Sequence, residues 1–146
     1  KINMVYGNDV IVSTTRKVPG GDTDALINHK TINMGKGDDL IDASAGGLGG
    51  NGKIKMGKGD DEFAGFGDMR LVDGGKGLDK LRLDLGVYSV MIKGDKYRVA
   101  KGRGSADFRN FELIGSKWSR DDDFVDFEFN KSQFAMVVDE HGVTFI

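Results

Sequence analysis

The chain has 146 residues, a length typical of one domain, and 38% of them are apolar, which is enough for a hydrophobic core. It has no cysteine and only two histidines, so a disulfide scaffold, a cysteine-ligated zinc site and a multi-histidine metal centre are excluded. A net charge of −2 gives no electrostatic footprint for nucleic acid or an anionic membrane. No apolar run is long enough for a transmembrane segment, and the first residues lack an initiator Met and a signal-like stretch, so we expect a piece of a longer polypeptide.

A nonapeptide recurs four times in the first half of the chain, at residues 4–12, 34–42, 56–64 and 74–82. It has glycine at its fourth position, aspartate at its sixth and an apolar residue at its eighth. The fourth-position glycines are separated by 30, 22 and 18 residues, which predicts a unit of eighteen residues, or two nonapeptides, with insertions at about 13–24 and 43–46. Weaker copies lie between the strong ones, at 25–33, 47–55 and 65–73.

Each nonapeptide is expected to form a turn of about six residues and a strand of about three. The eighth-position side chains then point inward and stack on two sheets. One stack consists of Ile11, Ile41, Phe63 and Leu81 from the strong copies, and the other consists of Ile2, Ile32, Ile54 and Val72. Their neighbours face solvent by the period of two, which does not suit Val10, Val12 and Leu40. We therefore expect the inserted loop or the C-terminal region to cover these three.

The three later copies also keep a glycine at their second position, and together they resemble the RTX, or haemolysin-type, calcium-binding repeats of bacterial proteins exported by type I secretion. The resemblance covers residues 1–85. It implies an all-β, right-handed parallel β-roll solenoid, with Ca²⁺ held between the turns of successive coils and calcium-triggered folding outside the cell. The first copy departs from the pattern, because Met4 and Val5 stand in place of both glycines.

Residues 86–146 are expected to form a β-strand-rich aromatic cap, because seven of the nine Phe and the single Trp lie between residues 83 and 146. Hairpins are predicted around Gly94-Asp95 and around 140–142. A half-buried strand is predicted at 124–129, and no helix is expected. The stretch 107–115 is similar to the Asn-Phe-Glu-x-Ile-Gly linkers that follow RTX blocks.

The repeated turns predict a calcium site. Ca²⁺ takes six to eight oxygen ligands, and glycine-rich turns supply converging backbone carbonyls beside the aspartates. Stacked turns would place the sixth-position carboxylates in a column, so that repulsion opposes folding until a cation binds. Aspartate and glycine also make turns without metal, and that is the alternative. The predicted ligand turns contain Gly7, Asp9, Gly35, Gly37, Asp38, Asp39, Gly57, Gly59, Asp60, Asp61, Gly75, Gly77 and Asp79.

The ions, two to three in number, are expected on one edge only. At the sixth position the weaker copies carry Lys30, Gly52 and Arg70, which place a like charge or no ligand beside a cation. Lys30 and Arg70 are expected to tie that edge together by hydrogen-bonding turn carbonyls or Asp68. Asp61 lies in the turn shared by the two best sites, so Asp61→Ala is expected to be the most damaging aspartate change.

Other motifs in the sequence are weaker evidence for a function. Residues 47–53 match two phosphate-binding patterns, but Ile54 stands where a P-loop needs Ser or Thr. Asp121–Asp123 is either a charged loop or a further cation site, and His141 is expected to be a solvated turn residue. Trp118 is expected to pack in the core or cap, with stacking on a sugar as the alternative. No nucleophile stands beside a base, so no catalysis is expected.

The sequence therefore predicts a non-catalytic calcium-binding module, secreted or at the bacterial cell surface, that folds on reaching extracellular calcium. It would support secretion and stability of a larger protein such as a toxin, hydrolase, S-layer protein or adhesin. The alternative is a calcium-stabilised ligand-binding or adhesin module that recognises a cell surface or a polysaccharide.

Overall fold

The computed structural model describes residues 1–13, 17–18, 21–22, 26–45, 47–127 and 133–146. The chain is all-β, as predicted, and the described part contains no helix apart from one 3₁₀ turn at Asp121–Asp123. The first twelve strands are β1 Ile2–Asn3, β2 Val10–Val12, β3 Lys17–Val18, β4 Gly21–Asp22, β5 Leu26–Ile27, β6 Thr31–Asn33, β7 Leu40–Asp42, β8 Leu48–Gly49, β9 Lys53–Lys55, β10 Glu62–Ala64, β11 Met69–Asp73 and β12 Lys80–Leu83. The others are β13 Gly86–Lys93, β14 Lys96–Lys101, β15 Gly104–Arg109, β16 Leu113–Ser116, β17 Val125–Asp126, β18 Gln133–Asp139 and β19 Gly142–Phe145.

Two mixed sheets contain most of these strands. The first has nine strands in the order β1-β6-β9-β11-β15-β14-β13-β18-β19, and the second has six in the order β17-β16-β12-β10-β7-β2. β3 with β4 and β5 with β8 form two small pairs. No described helix is long and apolar enough to cross a membrane.

Short parallel strands alternate between the two sheets along the first half of the chain. In the second sheet Ile11, Ile41, Phe63 and Leu81 stand in register on neighbouring strands, and in the first sheet the same holds for Ile2, Ile32, Ile54 and Val72. Both stacks were predicted from the repeat. Short strands suffice here because an apolar side chain at every turn meets its equivalents above and below.

The core lies between the two sheets and continues from the repeats into the C-terminal half. Ile41, Ile54, Phe63 and Leu81 are fully buried, and so is Phe108 from the aromatic half. Phe63 and Phe108 approach with ring centroids 6.3 Å apart. The outermost strand is less covered, since Ile2 is 43% exposed.

The C-terminal half contains the two predicted hairpins. β13 and β14 pair antiparallel around Gly94-Asp95, and β18 and β19 pair around Glu140-His141. Between them the chain returns to the repeat pattern, because β15 pairs parallel with β11 and β16 pairs parallel with β12. The β13–β14 hairpin therefore interrupts the alternation between the two sheets. After it, β15 and β16 add one further parallel strand to each sheet.

Three expectations were wrong in detail. Val10 and Val12 are 59% and 57% exposed rather than covered, because β2 is the outermost strand of its sheet. Leu40, on the next strand, is half-buried. Trp118 is 62% exposed, in the bend after β16, rather than packed in the core. Of the described residues 124–127 of the predicted strand, only Val125–Asp126 form a strand. Residues 128 and 129 lie outside the described part, as does much of the expected insertion at 13–24.

Candidate functional site

Four six-residue turns connect the first sheet to the second along one edge, at residues 4–9, 34–39, 56–61 and 74–79. They stack in register, because Tyr6, Lys36, Lys58 and Lys76 form successive parallel bridges. All thirteen predicted ligand residues lie in these turns. The repeat therefore gathers the candidate residues at a single edge of the molecule.

Glycines at the second and fourth positions allow the turns to approach each other this closely. A Cβ on Gly57 would lie 1.9 Å from the carbonyl oxygen of Gly35, and one on Gly59 would lie 2.0 Å from that of Gly37. Gly57 and Gly59 also have φ of +109° and +133°, which L side chains rarely adopt. Any side chain at these positions would push the turns apart.

The sixth-position aspartates form an aspartate column, which consists of a half-buried Asp9 and the buried Asp39, Asp61 and Asp79. The N–H of Asp9 donates to Oδ1 of Asp39 (2.8 Å), and the N–H of Asp39 donates to Oδ1 of Asp61 (2.8 Å). The N–H of Asp61 donates in turn to Oδ1 of Asp79 (2.9 Å). The last three residues are at most 2% exposed. The carboxylates of Asp39, Asp61 and Asp79 are thus each fixed by the backbone of the preceding turn.

Only one oxygen of the carboxylates of Asp39, Asp61 and Asp79 is used in this way. Oδ2 of all four is buried and accepts no hydrogen bond from any residue that the structure describes. A buried carboxylate oxygen without a partner is costly unless a cation or a proton neutralises it. Burial, with a smaller contribution from the neighbouring carboxylates, raises the pKa of Asp61 to about 6 and that of Asp79 to about 7. Burial also raises the pKa of Asp39.

The donor set fits a hard cation. The column offers only oxygen atoms, which Ca²⁺ prefers, with carboxylate charge to neutralise. Among the described residues no three carboxylate or imidazole groups converge on one point, so an ion between two turns would also need backbone carbonyls. The same turns carry backbone carbonyls, such as those of Gly35 and Gly37, and the glycines of the next turn place no Cβ against them.

A second series of side-chain hydrogen bonds runs in the opposite direction along the exposed rim of the turns. Oδ1 of Asn8 accepts from the N–H of Asp38 (2.8 Å), and Oδ1 of Asp38 accepts from the N–H of Asp60 (2.9 Å). Oδ1 of Asp60 then accepts from the N–H of Leu78 (2.9 Å). Asp38 and Asp60 were predicted as ligands, but they are exposed and stand outside the buried column.

The column ends on a residue that the repeat search missed. The N–H of Asp79 donates to Oε2 of Glu112 (2.8 Å), so Glu112 takes the place of a fifth aspartate. Its turn is short: three residues separate Arg109 from Leu113, whereas six separate their partners Asp73 and Lys80. The turn begins at Asn110, the one described non-glycine residue with a left-handed φ, at 57°. The sequence signals for this turn were Asn110 in place of a repeat glycine and Glu112 in place of the repeat aspartate.

In the part of the chain that the structure describes, the opposite edge contains no comparable column of carboxylates. The N–H of Lys53 donates to the carbonyl of Lys30 (2.7 Å), and the N–H of Arg70 donates to that of Gly52 (3.1 Å). The Asn28 amide adds a bond to the carbonyl of Lys53 (3.1 Å). Backbone groups and Asn28 therefore hold this edge, rather than the side chains of Lys30 and Arg70. Asp68, the acceptor suggested for them, instead accepts from the N–H of Ser105 (3.0 Å).

The remaining acidic and histidine candidates lie in surface turns. Asp121 pairs with Lys80 at 3.3 Å and is exposed, and Oδ2 of Asp123 accepts from the N–H of Arg120 (2.9 Å), so this acidic run is a charged 3₁₀ turn. His141 lies in the exposed turn between β18 and β19, as expected.

No family model, curated protein or solved structure shows a significant match to this chain.

Proposed function

We propose that residues 1–85 form a right-handed parallel β-roll of the RTX type that binds two to three Ca²⁺ ions between the stacked turns of the aspartate column. The observation that carries this proposal is the row of four buried, unpartnered Oδ2 atoms. Gly57 and Gly59, which allow the turns to stack, support it, and so does the match of Gly-x-Gly-x-Asp-x-apolar to the calcium-binding repeat pattern.

Calcium would act on folding through charge. Four carboxylates one strand spacing apart, about 4.8 Å, repel one another, and burial makes Asp39, Asp61 and Asp79 harder to ionise. A cation between two turns turns this repulsion into ligation, so the free energy of binding becomes free energy of folding. The module would therefore remain largely unfolded in low cytosolic calcium and fold in extracellular calcium.

The biological role that follows is non-catalytic. As part of a larger bacterial polypeptide, the module would allow export in an unfolded state and then support the stability of the secreted or cell-surface protein. This role in export rests on the resemblance to RTX repeats. The resemblance leaves open whether the larger protein is a toxin, hydrolase, S-layer protein or adhesin. Residues 86–146 would cap the roll and shield its last turn.

Calcium binding is tested by isothermal titration calorimetry of the chain with Ca²⁺ and, separately, with Mg²⁺. We expect two to three calcium sites and much weaker Mg²⁺ binding, because Mg²⁺ requires a smaller octahedral shell and loses water reluctantly. Asp61→Asn should remove at least one site, since Asp61 lies in the middle of the column and bonds to the turns on both sides.

Asp122→Asn is the matched control, because Asp122 is an exposed residue of the 3₁₀ turn and the change in charge is the same. It should bind calcium as the unmodified chain does. Absence of calcium binding by the unmodified chain, or equal binding by both variants, would contradict the proposal.

A further inference from the structure

The third position of the stacked turns forms a lysine column, which consists of Lys36, Lys58 and Lys76. The three residues are exposed and are joined by parallel bridges, so their Cα atoms follow the strand spacing of about 4.8 Å. None of them forms an ion pair with a residue that the structure describes. Three like charges are thus held in a straight row with no protein counter-charge in contact.

An exposed aromatic ring continues the row. Tyr6 is bridged to Lys36, is 72% exposed, and lies with its ring centroid 5.0 Å from Lys36 Nζ. An open groove of about 440 Å³ lies beside the first part of the row, and its lining includes Tyr6, Lys36 and Lys58 together with Gly35, Gly57 and Asn3. Gly35 and Gly57 have no side chain at position two, which leaves the groove open beside Lys36 and Lys58, whereas Val5 occupies that position beside Tyr6.

We propose that the lysine column and its groove bind a linear acidic polysaccharide. An extended uronic acid chain combines flat sugar rings with regularly repeated carboxylates. The carboxylates would pair with Lys36, Lys58 and Lys76, and a terminal sugar would stack on the exposed face of Tyr6. The groove is lined mostly by backbone and aliphatic atoms, which suits a pyranose ring better than a highly charged phosphate backbone.

The charge of this edge connects the proposal to calcium, and this part rests on the proposed function. Six aspartates of the four turns stand against three lysines, so the edge carries three net negative charges when all are ionised. Each Ca²⁺ contributes two positive charges, so two ions make the edge net positive. Affinity for an acidic glycan should therefore increase when calcium occupies the aspartate column.

The test is calorimetric titration of the full chain with a short oligogalacturonate, in EDTA and in millimolar calcium. The triple variant Lys36→Gln, Lys58→Gln, Lys76→Gln should bind roughly tenfold more weakly or worse, because three exposed ion pairs are lost. The control triple variant Lys93→Gln, Lys96→Gln, Lys117→Gln changes the net charge equally and should bind normally. Affinity of the unmodified chain should fall with added salt.

The two proposals fail separately. Calcium titrated alone reports on the aspartate column, whatever happens with the glycan. No oligogalacturonate binding in either buffer, or equal binding by both triple variants, would overturn the glycan site. Equal affinity for a single-stranded oligonucleotide would also overturn it, because the column would then recognise charge alone. Loss of binding in the lysine-column variant alone, with a neutral glucan not bound, supports it.

Discussion

At the scale of single residues, Asp61 and Asp79 make stability depend on pH in an unusual direction. Their pKa values in the folded chain, about 6 and about 7, lie above the ordinary 3.8, so the folded state holds more protons than the unfolded state between these values. Without metal the free energy of unfolding should therefore fall as the pH rises from about 4 to 7. Far-ultraviolet circular dichroism in EDTA measures it, since the β signal should be weak at pH 7 and increase as the pH falls towards 4.

Calcium should reverse this trend, because the ion binds the ionised carboxylates and competes with protons. In saturating calcium the free energy of unfolding should rise from pH 4 to 7. A metal-free protein whose stability also rises over this range would show that the column carboxylates are not buried as described.

Gly57 tests the close stacking of the turns. Gly57→Ala would place a Cβ 1.9 Å from the Gly35 carbonyl oxygen, so the turns must separate. Gly94→Ala is the control, since Gly94 also has a positive φ, of +63°, but nothing lies within 4 Å of the added Cβ. We expect Gly94→Ala to cost about 1–2 kcal/mol, and Gly57→Ala to cost clearly more.

Denaturant unfolding of both variants in calcium gives the comparison. Equal destabilisation would mean that only the backbone conformation, and not the contact between turns, requires glycine at position 57.

At the scale of elements, the short turn at 110–112 ends the aspartate column, and Glu112 supplies its last acceptor. Glu112→Ala leaves the N–H of Asp79 without this partner and should cost about 1 kcal/mol. Glu112→Gln keeps an acceptor oxygen and should recover most of that loss. Glu140→Ala, in an exposed hairpin turn, is the control and should have little effect. Thermal melting of the three variants shows whether the hydrogen bond to Asp79 or the negative charge of Glu112 contributes to stability.

The elements also show what a repeat can predict. The register of Ile41 with Phe63 and Leu81 followed from the spacing of glycines, because one stacked turn fixes the next. The turn that ends on Glu112 was missed, since it lacks the glycines and follows an inserted hairpin. The exposure of Val12 and Trp118 depends on whether another segment of the chain packs over them. The periodicity within a strand does not predict this.

At the scale of the whole molecule, the two halves share one core and two sheets. β15 and β16 continue the parallel pairing that β11 and β12 began, and the aromatic half covers the last turn. Aspartate residues that repel one another are thus built into a cooperative structure. Folding of the whole chain should therefore respond to a cation bound at one edge.

Far-ultraviolet circular dichroism with thermal melting, in EDTA and then in millimolar calcium, tests this most directly. The account predicts a largely disordered spectrum in EDTA, and in calcium a β spectrum with a cooperative transition at a much higher temperature. Magnesium at the same concentration should produce little of this change. An identical spectrum and melting temperature in EDTA and in calcium would contradict the central claim that calcium drives folding of the aspartate column.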